Sequence, residues 1–189
     1  YRTQFNGIWQ NILGNKYVFY GQRIGQNLWS SFSLKFLVQN GGSHPWHALP
    51  GFGHLFYLNY FLAIFMLIDI VGEIIIGFMD KKFNKKHLII FYLSIIALVP
   101  SIITVDSPHA TRSLFFFFML IALATLFFDK LLRIFAEKSK LLLTLLLVIL
   151  SIESLIYYRQ YFLIYPKQQE KILFSSFKEL ITESQKEYP

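Results

Sequence analysis

Apolar residues along this chain come in long blocks rather than at amphipathic spacing, and the charges fall between the blocks. The first strong block covers residues 55–79 and stops at Lys81, Lys82, Lys85 and Lys86, a cluster that no bilayer core accepts. The second, 87–105, carries no Asp, Glu, Lys or Arg; at about 1.5 Å per residue it nearly crosses a core of roughly 30 Å. The third, 114–128, is short for a span, but Ser107 as a cap and Pro108 at the first helical position lengthen it upstream to a full crossing. The fourth, 141–158, is Leu-rich and closes on Tyr157, Tyr158 and Arg159, an aromatic and cationic interface anchor. The pattern predicts an all-α protein: a polytopic transmembrane helix bundle of about four spans, with interfacial helices and the start of an outer-face domain.

The flanks read differently. Residues 1–54 interleave Gln, Asn, Ser and Gly with aromatics such as Phe5, Trp9, Tyr17, Trp29 and Phe36, a composition suited to lying in the interface. They are predicted to form short interfacial helices that end in the Gly/Pro-rich loop 41–53. In the tail, Ile172, Leu173, Phe177, Leu180 and Ile181 recur at helical spacing, as in one amphipathic helix of a soluble domain. The expected organisation is an outer-face head (1–54), a four-span bundle (55–158) and the start of a truncated outer-face domain (159–189). The chain opens on Tyr1 with no signal-peptide pattern and is expected to be a piece of a longer protein.

Composition removes the other classes. With 54% hydrophobic residues, mean hydropathy +0.46 and 15% charged residues, the chain lies far from soluble domains, which carry about 25% charged residues. Cysteine is absent, which excludes disulfides, thiolate zinc sites and cysteine nucleophiles. The net charge of +7 has to be read by position. Residues 80–87 hold four lysines, and 129–140 hold Lys130, Arg133, Lys138 and Lys140, whereas 106–113 hold only Arg112. Basic residues are retained inside. Both lysine-rich loops are therefore expected inside a cell membrane, with residues 1–54, 106–113 and 158–189 on the outer face.

Three groups of residues are candidates for chemistry. In 106–113, Asp106, Ser107, His109 and Arg112 stand together at an expected helix start on the outer side, with His109 and Arg112 three apart on one helix face. Free N–H groups there favour an anion, and the arginine fork fits phosphate oxygens, so these residues are read as binding a lipid phosphate or substrate. Alternatively, Arg112 snorkels from a capped helix to the headgroups. The loop 43–54 carries His44, His47 and His54, is interrupted by Pro45 and Pro50, and holds no carboxylate. Regular ligand spacing is lost there and no metal site is expected; His44 and His47 are read as hydrogen-bonding a sugar or phosphate, or as anchoring the loop. Asp69 and Glu73 lie four apart inside the first span, where such acids mark ion or proton pathways by default. The quieter reading ends the membrane segment near Ile68 and turns both acids to water.

No GxGxxG, Walker, GxSxG or HExxH pattern occurs, and no basic stripe supports nucleic-acid binding. The order of "NLWSSFSLKFLVQNGG", "SHPWHALPGFGHLFYL", "DSPHATRSL" and "YYRQYFLIYP" resembles the C-terminal half of bacterial membrane glycosyltransferases of the GT-C fold. These are the family 39 relatives of protein O-mannosyltransferases and of the aminoarabinose transferase. The matches are His44, His47, Gly53, Leu55 and Tyr57 in the first motif, and Pro108, His109, Ala110, Arg112 and Ser113 in the second. Where the family's outer loop has Asp after Gly, this chain has Gly42-Ser43.

The resemblance implies transfer of a sugar from a polyprenyl-phosphate carrier to an acceptor glycan, lipid or protein, without a cofactor, at the outer bilayer surface. It implies that the catalytic carboxylate lies upstream of this chain. No catalytic residue is then expected here, and the chain alone is expected to be inactive. Arg112 and His109 would hold the carrier phosphate. Two readings of other classes stay open: a proton-coupled transporter working through Asp69 and Glu73, and a non-catalytic scaffold.

Overall fold

The computed structural model describes residues 16–42, 49, 51–80, 84–104, 106–169 and 175–187, and every regular element among them is helical. The chain divides into two compact units, Tyr1–Glu137 and Lys138–Pro189. In the first unit, α1 (Lys16–Ser31) leads through a π-helical turn (Lys35–Asn40) to α2 (Tyr57–Asp80) and α3 (Lys85–Ile102). A 3-10 turn (Thr111–Ser113) then runs into α4 (Leu114–Ile134). The segments Tyr57–Gly77, Lys85–Ile102 and Thr111–Ile134, with Ala136–Lys167 of the second unit, are long and apolar enough to cross a membrane. The chain is a multi-pass membrane protein.

The first unit is held by stripes at helical spacing. α2 buries Leu62, Ala63, Met66 and Ile70, and α4 buries Phe116, Phe117, Leu120, Leu123 and Ala124. α3 contributes Ser94, Ala97 and Ser101, whose small side chains allow close helix approach, together with the buried Leu98. Ile68, Val71, Ile75, Phe115 and Phe118 point outward, where lipid solvates them. Consecutive helices alternate in direction, so the start of α2, the end of α3 and the start of α4 lie at one end of the bundle.

At that end the π-helical turn inserts Phe36, Leu37 and Val38, all buried, into the mouth between the helices. Its carbonyls are taken by the backbone of residues 53–55. Leu37 O accepts from the N–H groups of His54 (2.8 Å) and Leu55 (2.9 Å), and Val38 O from Gly53 (2.6 Å). Gly41, at φ 64°, reverses the chain in the left-handed region that favours glycine.

The third span departs from expectation. Pro108 does not open the helix and Ser107 does not cap it: both lie in a loop that precedes the 3-10 turn at Thr111. Ser113 marks where helical bonding begins, its N–H reaching back to His109 O and Ala110 O, and its hydroxyl ties that point to α3 by donating to buried Ser101 Oγ at 2.9 Å. The missing length comes from the other end, where α4 runs past Phe128 to Ile134. Its charges there are matched: Arg133 pairs with Asp129 at 2.8 Å, and Lys130 with Asp69.

In the second unit, α5 (Ser139–Arg159), a π-helical turn (Gln160–Ile164) and α6 (Tyr165–Gln169) form a continuous helical run. α5 buries none of its residues. Tyr157, Tyr161 and Tyr165 stack one turn apart, with centroids 6.0 and 6.1 Å apart, in an aromatic ladder of the kind found at membrane interfaces. α7 (Ser175–Glu187) leaves Phe177, Leu180 and Ile181 exposed along one face.

A Cβ at Gly53 would run into the Leu37 carbonyl and the Val38 nitrogen. Gly53→Ala is therefore expected to undock the 53–55 segment, at a cost of about 1–3 kcal/mol, seen as a lower midpoint of thermal unfolding in detergent. An unchanged midpoint would contradict this packing.

Candidate functional site

The carbonyls at the end of α3 set up the site. A helix leaves its last carbonyls unpaired, and in an apolar layer each needs a donor. Val99 O takes the N–H of Ile103, and Ser101 O takes the Thr104 hydroxyl at 2.8 Å. Ile102 O, the last carbonyl of α3, and Thr104 O, just past its end, accept from another element. Asn27 of α1 supplies both, its amide nitrogen donating at 2.8 and 3.0 Å. The amide group has two hydrogens, one for each carbonyl. Asn27 is buried, and Ser31 one turn on is buried too, donating to Asn27 O at 2.8 Å. The rest of α1, notably Tyr17, Tyr20, Ile24, Leu28 and Trp29, stays exposed, as suits a helix lying in a bilayer interface.

The loop 106–113 is built around its one acid. Arg112 Nη1 donates to Asp106 Oδ1 at 2.8 Å, and His109 Nε2 stands 3.7 Å from Asp106 Oδ2. The hydroxyl of Thr111 lies 2.9 Å from His109 Nδ1. A hydrogen bond from its own backbone N–H, then the nearby charges of Arg112 and His109, hold the Asp106 carboxyl below its usual pKa despite some desolvation. Arg112 and His109 therefore do not share a helix face, as their spacing implied; they converge on Asp106 from a loop and a 3-10 turn. Part of the Arg112 fork is used within the protein.

Beside this loop a cavity of about 370 Å³, polar only through its side-chain ends, is lined by Ser30, Ser33, Lys35, Phe36, Asn40, Gly42, Ser107 and Pro108. The Ser107 hydroxyl is buried there without a hydrogen-bond partner among the described residues. Ser33 also lines a second, apolar groove of about 620 Å³, with Trp29, Phe32, Leu34, Tyr60, Ile64, Leu67, Ile68 and Val71. A polar cavity and an apolar groove thus meet at one residue. Sequence reasoning brought Asp106, Ser107, His109 and Arg112 to this place but missed Lys35, Ser30, Ser33 and Asn40. The available signal was the absence of any Asp or Glu before Asp69, which leaves the cations of residues 1–68 uncompensated along the chain.

No family model, no curated protein and no solved structure matches the chain. His44 and His47 lie outside the described residues. Their neighbour His54 is engaged structurally, with Nε2 2.6 Å from Gly41 O and its ring stacked on Phe117 at 4.3 Å. Among the described residues, no group of three His, Asp or Glu side chains is placed to hold a metal ion.

Asp69 and Glu73 lie toward the opposite end, in one unbroken helix, and each is paired with a different neighbour. Asp69 Oδ2 accepts from Lys130 Nζ of α4 at 2.5 Å, and Glu73 Oε2 lies 2.7 Å from His87 Nδ1 of α3. Neither acid stands alone in lipid, and both tie α2 to its partners.

Removing one member of such a pair leaves the other unmatched in a poorly solvated place. Asp69→Asn is expected to lower stability by about 1–3 kcal/mol, with the double variant Asp69→Asn/Lys130→Met recovering most of it in thermal unfolding. Additive losses would show that the two side chains do not interact.

Proposed function

We propose that this chain is the membrane module of a glycosyltransferase that moves a sugar from a polyprenyl-phosphate carrier to a glycan, lipid or protein acceptor on the outer face of a cell membrane. The observation that carries the reading is the meeting of the polar cavity and the apolar groove at Ser33. A ligand that fits both has an anionic head and a long apolar tail. The groove runs along α2 from Tyr60 to Val71, so the tail lies within the bilayer while the head stays at its surface. The likeness of "PHATRS" to the family motif adds support, because these residues form the loop against that head site.

Transfer breaks the bond between the anomeric carbon and the phosphate oxygen and leaves a carrier phosphate with one more negative charge. The acceptor oxygen takes the anomeric carbon and gives its proton to a base, a role that none of the residues brought together here is assigned. Cations and hydrogen-bond donors fixed beside the leaving phosphate lower the barrier by stabilising that charge. His109 and Arg112, steadied by Asp106, stand next to the cavity wall at Ser107 and Pro108. The pairing of Asp69 with Lys130 and of Glu73 with His87 favours this reading over a proton pathway through those acids, since each carboxylate already has a partner.

A photoreactive polyprenyl phosphate, added to the protein in phosphatidylcholine bilayers, is expected to label residues 60–71. A polyprenyl-phosphate-linked sugar should displace it, and phosphatidylglycerol should not. Label spread evenly over the spans, or lost equally to phosphatidylglycerol, would sink the proposal. Proton uptake abolished by Asp69→Asn would favour the transporter.

A further inference from the structure

We infer that the cavity between the π-helical turn and the 106–113 loop is a binding site for the terminal phosphate of a phosphate monoester, with Lys35 as its cation. The assignment deepens the carrier reading and rests on it for the ligand's apolar tail, but the charge of the ligand comes from the cavity itself.

Three donors line the cavity with no acceptor for them among the described residues. Lys35, exposed at the rim, has no ion pair among the described residues, and its own segment of the chain supplies no Asp or Glu before Asp69. Asn40, five residues on along the same turn, shares that rim. On the opposite wall the Ser107 hydroxyl is buried and unpartnered among the described residues. A buried hydroxyl without a partner is costly, so a site that leaves one open is built for something that fills it. Ser30 and Ser33 differ: their hydroxyls already donate to backbone carbonyls, at 2.9 Å to Gln26 O and 2.7 Å to Ser30 O.

The nearest acid explains why Lys35, and not Arg112, carries the charge. Arg112 gives part of its fork to Asp106 at 2.8 Å, and so shapes the loop that presents Ser107. A lysine brings three rotatable donors and one full charge. Together with the Asn40 amide and the Ser107 hydroxyl it can meet three terminal phosphate oxygens. A phosphodiester headgroup offers fewer free oxygens and less charge. The cavity therefore suits the carrier as transfer leaves it, or a free phosphate.

The test uses the absence of cysteine in the chain. Ser30→Cys places a single thiol on the cavity wall without removing any of the three donors. Its rate of modification by a small thiol reagent is followed in phosphatidylcholine nanodiscs with farnesyl monophosphate, inorganic phosphate or added phosphatidylglycerol. Farnesyl monophosphate is expected to protect the thiol, and Lys35→Met to weaken that protection about tenfold or more. Lys35→Arg should retain most of it, and Lys16→Met, an equal loss of charge away from the cavity, should leave it unchanged. Protection by inorganic phosphate as well upholds the site and shows that the tail is dispensable. No protection by either monophosphate, equal protection by phosphatidylglycerol, or protection that survives Lys35→Met overturns the assignment. If the photoreactive carrier labels residues 60–71 but Lys35→Met has no effect, the site falls and the carrier reading stands. If phosphate protects but the carrier does not label the groove, the reverse holds.

Discussion

Two carbonyls at the end of α3 govern this structure. Ile102 O and Thr104 O emerge where the helix has run out of its own N–H groups, next to a layer with no water to satisfy them. Asn27 answers both. In doing so it pins α1 to the end of α3, and that clasp places the next stretch of chain. The π-helical turn that begins four residues after Ser31 is thereby held over the mouth of the bundle, with Phe36, Leu37 and Val38 in the core and Lys35 and Asn40 at the rim. From the other side, Ser101 receives the Ser113 hydroxyl and draws the 106–113 loop against the same place. The polar cavity is the space left between two segments tied to one helix end.

The two ends of the bundle handle charge in opposite ways. Toward the lysine-rich loops, the acids of α2 are neutralised within the protein, Asp69 by Lys130 and Glu73 by His87, and serve to hold three helices together. At the other end Asp106 is taken by Arg112, and Lys35 has no ion pair among the described residues. A surplus of positive charge beside an apolar groove would suit an amphiphilic anion, and the proposal of a phosphate-bearing lipid carrier rests on that asymmetry.

Much of the fold was legible in the sequence because bilayer physics is crude and strict: long blocks of apolar residues had to be helices, although α4 carries on through Lys130 and Arg133 to Ile134. The third span shows the limit. Pro108 and Ser107 carry good local signals for a helix start, but a hydroxyl contact from Ser113 to Ser101, twelve residues upstream, overrides them. The site was half legible. Asp106, His109 and Arg112 stood out as a cluster, yet their spacing implied a shared helix face where the structure has a loop closed on Asp106. Lys35, Asn40 and Ser33 were invisible because each looks ordinary alone, and only the docking of the π-helical turn brings them opposite Ser107. The pairing of the intramembrane acids was not legible because their partners, Lys130 and His87, lie 61 and 14 residues further along the chain.

Sugar transfer at the outer surface requires one orientation, with the cavity and the 106–113 loop outside and the lysine cluster around residue 85 inside. Single cysteines at Thr111 and Lys85, in a chain that has no other cysteine, report it directly in sealed right-side-out membrane vesicles. A membrane-impermeant maleimide is expected to label position 111 at once and position 85 only after the membrane is opened. Labelling of position 85 in sealed vesicles, with position 111 protected, would place the cavity on the inner face and contradict the proposed function.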